Sequence, residues 1–116
     1  MDVFRHHLYE YWKGLRNLIL HTAPKELVPE MVALLERHKV PYLVCPLSKG
    51  HSNLFFGDQE CLDVICTFGV KRLCDYTEEQ DFILGIMLGY DRRVQCKRYL
   101  ERKSMAELST AKSQAL

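Results

Sequence analysis

The stretch Pro41–Gly57, PYLVCPLSKGHSNLFFG, constrains the fold more than any other part of this chain. Two apolar runs, Tyr42–Cys45 and Leu54–Phe56, flank a polar loop, Pro46–Asn53, that is rich in turn-forming residues. Short apolar runs bounded by Pro, Gly, Ser and Asn read as strands near the middle of a sheet. The second run passes through Gly57 and Asp58 into a helix that reaches Phe68, with Asp58 as its cap and Gly69 as its stop.

Around this centre the chain reads as hairpins joined by helices. Val3–Tyr11 and Leu15–His21 are rich in aromatic and branched residues, and Trp12-Lys13-Gly14 between them supplies a glycine for a tight turn. This predicts an antiparallel hairpin at the start, with His6 and His7 on opposite faces of a strand. Leu27, Met31, Leu34, Leu35 and His38 form a helical stripe. Pro29 fits only if that helix begins near Glu26–Val28, and Pro41 sets its end near Lys39. Val70–Cys74 is a weak strand. Thr77-Glu78-Glu79-Gln80 is a capping box, followed by one long helix to about Lys103, in which Gly85 and Gly89 allow close backbone approach or a break. Residues 104–116 lack a stripe and read as a flexible tail. The fold class is therefore α+β, order β-β-α-β-β-α-(β)-α, with a mixed or mainly antiparallel sheet and helices packed on it. One domain spans residues 1–103.

A chain of 116 residues has room for one core, burying roughly two-thirds of its unfolded surface. A formal charge of +1 argues against bulk attraction to nucleic acid or a membrane. No apolar run approaches the ~20 residues of a membrane helix, and the first residues do not form a signal peptide. The five cysteines, 45, 61, 66, 74 and 96, read as reduced thiols, mostly buried, in a cytoplasmic protein. They form no Cys-x-x-Cys pair. Cys61 and Cys66 diverge by about 140° around a helix, so no metal or other cofactor is implied.

Four fragments, HHLYEYWKGLRNLILHT, NLFFGDQECLDVI, EEQDFILGIMLGYD and QCKRYLERK, resemble a small bacterial family of domains of unknown function, numbered two thousand and twenty-three. The resemblance spans nearly the whole chain. It implies an α+β fold, no established activity and no site residues. It also carries a contextual association with flavodoxin.

Two places merit a functional reading. Ser48, Lys49, His51 and Ser52 offer a charge and several donors for an anion, although a solvated turn explains them more simply and no Walker spacing is present. Residues 92–103 set Arg92, Arg93, Lys97, Arg98, Arg102 and Lys103 against Glu101, a local charge of +5. Cations near a helix C-terminus complement the dipole, but this excess exceeds that need. Arg92, Arg93, Lys97 and Arg98 are the candidate contact for an acidic partner such as flavodoxin. Cys45 with His51, or Cys74 with Asp75, would be the nucleophile of an enzyme. With no catalytic signature, a non-catalytic binding module outranks an enzyme acting through the Ser48–Asn53 loop. The apolar hairpin face predicts a homodimer through Val3–His21.

Overall fold

A computed structural model describes the backbone of residues 1–115 and the side chains of residues 1–109. Contacts group the chain into two compact units, Met1–Val70 and Lys71 onward, where the sequence reads as one domain to residue 103.

The first unit opens with a helix, α1 (Asp2–Trp12), not with a strand. Phe4, Leu8 and Tyr11 recur at helical spacing, and Phe4 and Leu8 are buried. That stripe outweighs the strand-like composition. The predicted hairpin Val3–His21 is thus corrected in its first arm; its second arm is a strand, β1 (Leu18–Pro24). A 3-10 turn, Lys25–Leu27, leads into α2 (Val28–Arg37), which carries Pro29 in its first turn as expected. Strands β2 (Tyr42–Pro46) and β3 (His51–Gly57) form the hairpin that the sequence places at the centre, and α3 (Gln59–Thr67) follows Asp58.

The sheet has the order β1-β3-β2, antiparallel throughout, so β3 is the central strand. Residues facing each other across the ladders share a side of the sheet. On one side lie Ile19, Phe56 and Tyr42, then His21, Leu54 and Val44. Here α1 and α2 deliver Phe4, Leu8, Met31 and Leu35 into a single core with Ile19, Ala23, Leu54 and Phe56. Helix α3 packs on β2 and β3, burying Leu62 and Ile65, and Phe55, pointing away from the first core, is equally buried. This unit covers both faces of its own sheet. The sheet-face reason for a dimer through an N-terminal hairpin is therefore gone.

The second unit has no strand among its described residues; Leu73–Asp75 is a 3-10 turn where a strand is expected. Thr77 and Gln80 form the expected capping box, each side chain meeting the other's backbone N–H, and open α4 (Glu78–Met87). The expected single helix to Lys103 is instead two. At Gly89 the backbone turns to φ +84°, Gly89 N–H donates to the Ile86 carbonyl at 3.0 Å and Tyr90 N–H to the Gly85 carbonyl at 3.1 Å. That pair of bonds closes the helix in a Schellman motif, for which a left-handed residue is required. Asp91 then restarts the chain, its Oδ1 accepting from the N–H groups of Arg93 (2.8 Å) and Val94 (3.2 Å) at the head of α5. Helix α5 (Arg92–Ala115) runs on through residues 104–115, where the sequence reads as a tail. Gln95 lies over Gly85, and Asp81 meets Arg98, so α4 and α5 form an antiparallel helical hairpin.

Candidate interaction surface

The acidic first turn of α4 does more than complement a dipole. Arg98 donates to both oxygens of Asp81, at 2.8 and 3.0 Å, and Arg102 reaches the same carboxylate at 3.1 Å. Two residues earlier, Glu79 accepts from the Tyr99 hydroxyl at 2.8 Å and from Lys103 Nζ at 3.1 Å. The bidentate bond from Arg98 holds the Asp81 carboxyl below its usual range, against a weaker opposing effect of burial. Hydrogen bonds from Tyr99 and then Lys103 lower that of Glu79. Half of the basic segment is therefore neutralised within the hairpin.

The cations that remain are Arg92, Arg93 and Lys97, all exposed. Among the described residues, Arg93 approaches only Asp91, at 4.0 Å. Because α5 begins at Arg92, the two arginines occupy its first turn, which contains no acidic residue. Partial positive charge from the helix dipole collects at that end, so cations there are disfavoured by their own helix. The sequence places these residues near a helix C-terminus, where they would be favoured; the break at Gly89 reverses the sign of that argument. Of the four predicted partner contacts, Arg98 is engaged by Asp81, Arg93 is held only by its long contact with Asp91, and Arg92 and Lys97 have no ion pair among the described residues.

The predicted anion loop is smaller than expected, because β2 and β3 extend into it and leave only Leu47–Gly50 as the turn. Lys49 and Gly50 both have positive φ, 61° and 74°. Leu47 N–H donates to the His51 carbonyl, and Lys25 N–H to the Gly50 carbonyl, each at 2.8 Å. The His51 ring folds back, its Nδ1 3.1 Å from the Lys49 carbonyl. Ser48, Lys49 and His51 are exposed, whereas Ser52 is buried opposite Ala23 on the other side of the sheet from His51. The four residues do not converge on one point.

A histidine group missed by the sequence reading sits at the α1–β1 contact. His6 and His7, on a helix and not a strand, both approach Glu10 Oε1, at 3.6 and 3.5 Å, and Arg16 is 3.8 Å from the same atom. The His7 ring packs edge-on to His21 at 5.5 Å, and Phe4 lies 5.6 Å from His21 on another side. Burial, and secondarily His7 and the N-terminal amine, lower the His21 pKa below the ordinary 6.5. A base whose folded pKa is depressed binds fewer protons than its unfolded form. Stability is then full above pH 6.5 and falls as pH drops from there through the depressed folded value. Urea titrations across that window should show this loss, and His21→Gln should flatten it. The single tryptophan, Trp12, seated 4.3 Å from His38 at the end of α1, provides the fluorescence readout.

The cysteines divide in two. Cys45 and Cys61 are half-buried, and burial raises both thiol pKa values, with Cys66 adding to the first and Asp58 and Glu60 to the second. Cys66, Cys74 and Cys96 are exposed, against the expectation of mostly buried thiols. A thiol-reactive dye should label those three rapidly in the native state and Cys45 slowly; protection of all five would contradict the packing. Cys74 Sγ lies 3.9 Å from Asp75 Oδ1, but the Asp75 carboxylate is already held by Arg72 at 3.0 Å. Among the described residues, no three of His, Cys, Asp or Glu are placed to hold a metal ion, and no helix is long and apolar enough to cross a membrane.

No curated protein matches this chain. The model of one family, described as a protein of unknown function (DUF2023), matches residues 2–102, and the chain belongs to that family.

Proposed function

We propose that this protein is a non-catalytic docking module of the bacterial cytoplasm that holds an acidic protein partner against the head of α5. One observation carries the reading: Arg92 and Arg93 stand in a first helical turn where their own helix disfavours them, and among the described residues the one ion pair either side chain makes is the long contact of Arg93 with Asp91, at 4.0 Å. An acidic surface docked there would gain from both cations and from the helix end, with Lys97 one turn further along. Flavodoxin, the acidic protein class to which the family resemblance points, is the first partner to try.

The test is calorimetric titration of purified flavodoxin with the full chain at rising salt. Affinity should weaken as salt rises, because exposed charges are screened over roughly 8 Å at physiological ionic strength. The combined change Arg92→Glu, Arg93→Glu and Lys97→Glu should weaken binding by at least about tenfold through reversal of rim charges. Arg98 is left intact, since reversing it would break its pair with Asp81 and confound docking with folding. Binding that ignores both salt and the triple reversal would refute the surface.

A further inference from the structure

Helix α5 is 24 residues long, about 36 Å, whereas α4 has 10 residues and spans about 15 Å. The side of α5 that meets α4 carries Gln95, Arg98, Tyr99 and Arg102. Away from it, at spacings of 3, 4, 4 and 3, run Val94, Lys97, Glu101, Met105 and Leu108. Those intervals keep one stripe of a helix in line. Its apolar members are unusually bare, with Val94 59%, Met105 67% and Leu108 54% exposed. A mostly polar helix gains little by exposing three large apolar side chains along one line.

The charges in the middle of the stripe indicate what covers it. Lys97 and Glu101 are four apart, the spacing of a helical ion pair, yet neither forms one among the described residues. The stripe is also self-complementary when reversed. If a second α5 lies antiparallel, with the twofold axis beside residue 99, Lys97 of each copy faces Glu101 of the other. The same alignment lays Val94 beside Met105 of the second copy, and carries Leu108 towards Tyr90, which is also exposed. We propose that two copies of this chain associate through α5 in this antiparallel arrangement, with the two reciprocal Lys97–Glu101 pairs setting its register. Charged positions flanking an apolar seam set partner and orientation in paired helices generally. The inference shares Lys97 with the docking proposal but not Arg92 and Arg93, which lie outside the stripe.

The test uses the full chain and sedimentation equilibrium. The unaltered protein should dimerise. Lys97→Glu alone and Glu101→Lys alone should each raise the dimer dissociation constant roughly tenfold or more, because two attractive pairs become two repulsive ones. The swap Lys97→Glu with Glu101→Lys should restore dimerisation. Mixing the two single variants should produce a heterodimer, since every facing pair is again opposite in sign. Circular dichroism of each variant checks that α5 remains helical. A monomer at high micromolar concentration would overturn the proposal, as would a dimer indifferent to the single reversals or a swap that fails to rescue. The Glu101→Lys variant keeps all three free cations, so loss of its dimer with retained binding of an acidic partner would separate this surface from the docking one.

Discussion

Replacing Gly57 by alanine should lower the stability of the first unit by about 4 kcal/mol, a large share of the 5–15 kcal/mol that holds a domain together. Gly57 ends β3 with φ +149°, a conformation that side chains rarely adopt. A Cβ there would run into the Asn17 carbonyl oxygen, with the carbonyl carbon of Asn17 and the Cα of Leu18 each 3.0 Å away. All three obstacles are backbone. The Asn17 carbonyl accepts the Asp58 N–H at 2.9 Å, and Leu18 is paired with Gly57 itself in the sheet. Neither group can withdraw without opening the first rungs of the β1–β3 ladder and the entry to α3. Gly50→Ala is the control, since Gly50 also has positive φ but a Cβ there meets nothing within 4 Å. Backbone strain alone should cost that variant about 1 kcal/mol. Urea unfolding followed by circular dichroism compares the two, and equal midpoints would refute the role of close approach.

Phe56→Ala should destabilise the same unit by a similar amount, about 3–5 kcal/mol. Phe56 is fully buried on the central strand, opposite Ile19 on one side and Tyr42 on the other. Its ring meets Phe4 edge-on at 5.5 Å and Tyr11 at 6.5 Å, so it is the ring on which α1 rests against the sheet. Truncation removes the buried area, leaves a cavity and forfeits the edge-to-face terms of about 1 kcal/mol each. Phe56→Leu should lose much less, because most of the volume is kept. Trp12 emission should shift as α1 loosens. A loss for the alanine variant no greater than that for leucine would show that the core repacks around the gap.

Several elements were legible in the residues because their determinants are close in sequence. The β2–β3 hairpin is bounded by its own turn formers. Pro29 dates the start of α2 to within a few residues, since only a first turn tolerates it. Thr77 and Gln80 announce α4 three residues apart, and their reciprocal hydrogen bonds need nothing else from the chain. Even α1 carries its signal in the helical period of Phe4, Leu8 and Tyr11, which outweighs the strand-like aromatic and branched composition of the segment.

Other features depended on which segments meet. Nothing near β1 indicates that its partner is β3, whose paired residues run from His51 opposite Pro24 to Gly57 opposite Leu18, and not the segment before it. The +5 charge of residues 92–103 was visible, but which cations are free was decided only when α5 folded back on α4 and brought Asp81 to Arg98 and Glu79 to Lys103. The break at Gly89 then set the remaining arginines at the positive end of a helix. Capping, turn chemistry and periodicity are free energies between near neighbours, so the residues of this chain determine them directly. Strand pairing, ion-pair choice and the exposure of Cys66, Cys74 and Cys96 are set by contacts closed over long loops, and only the tertiary structure decides which of the competing contacts are made.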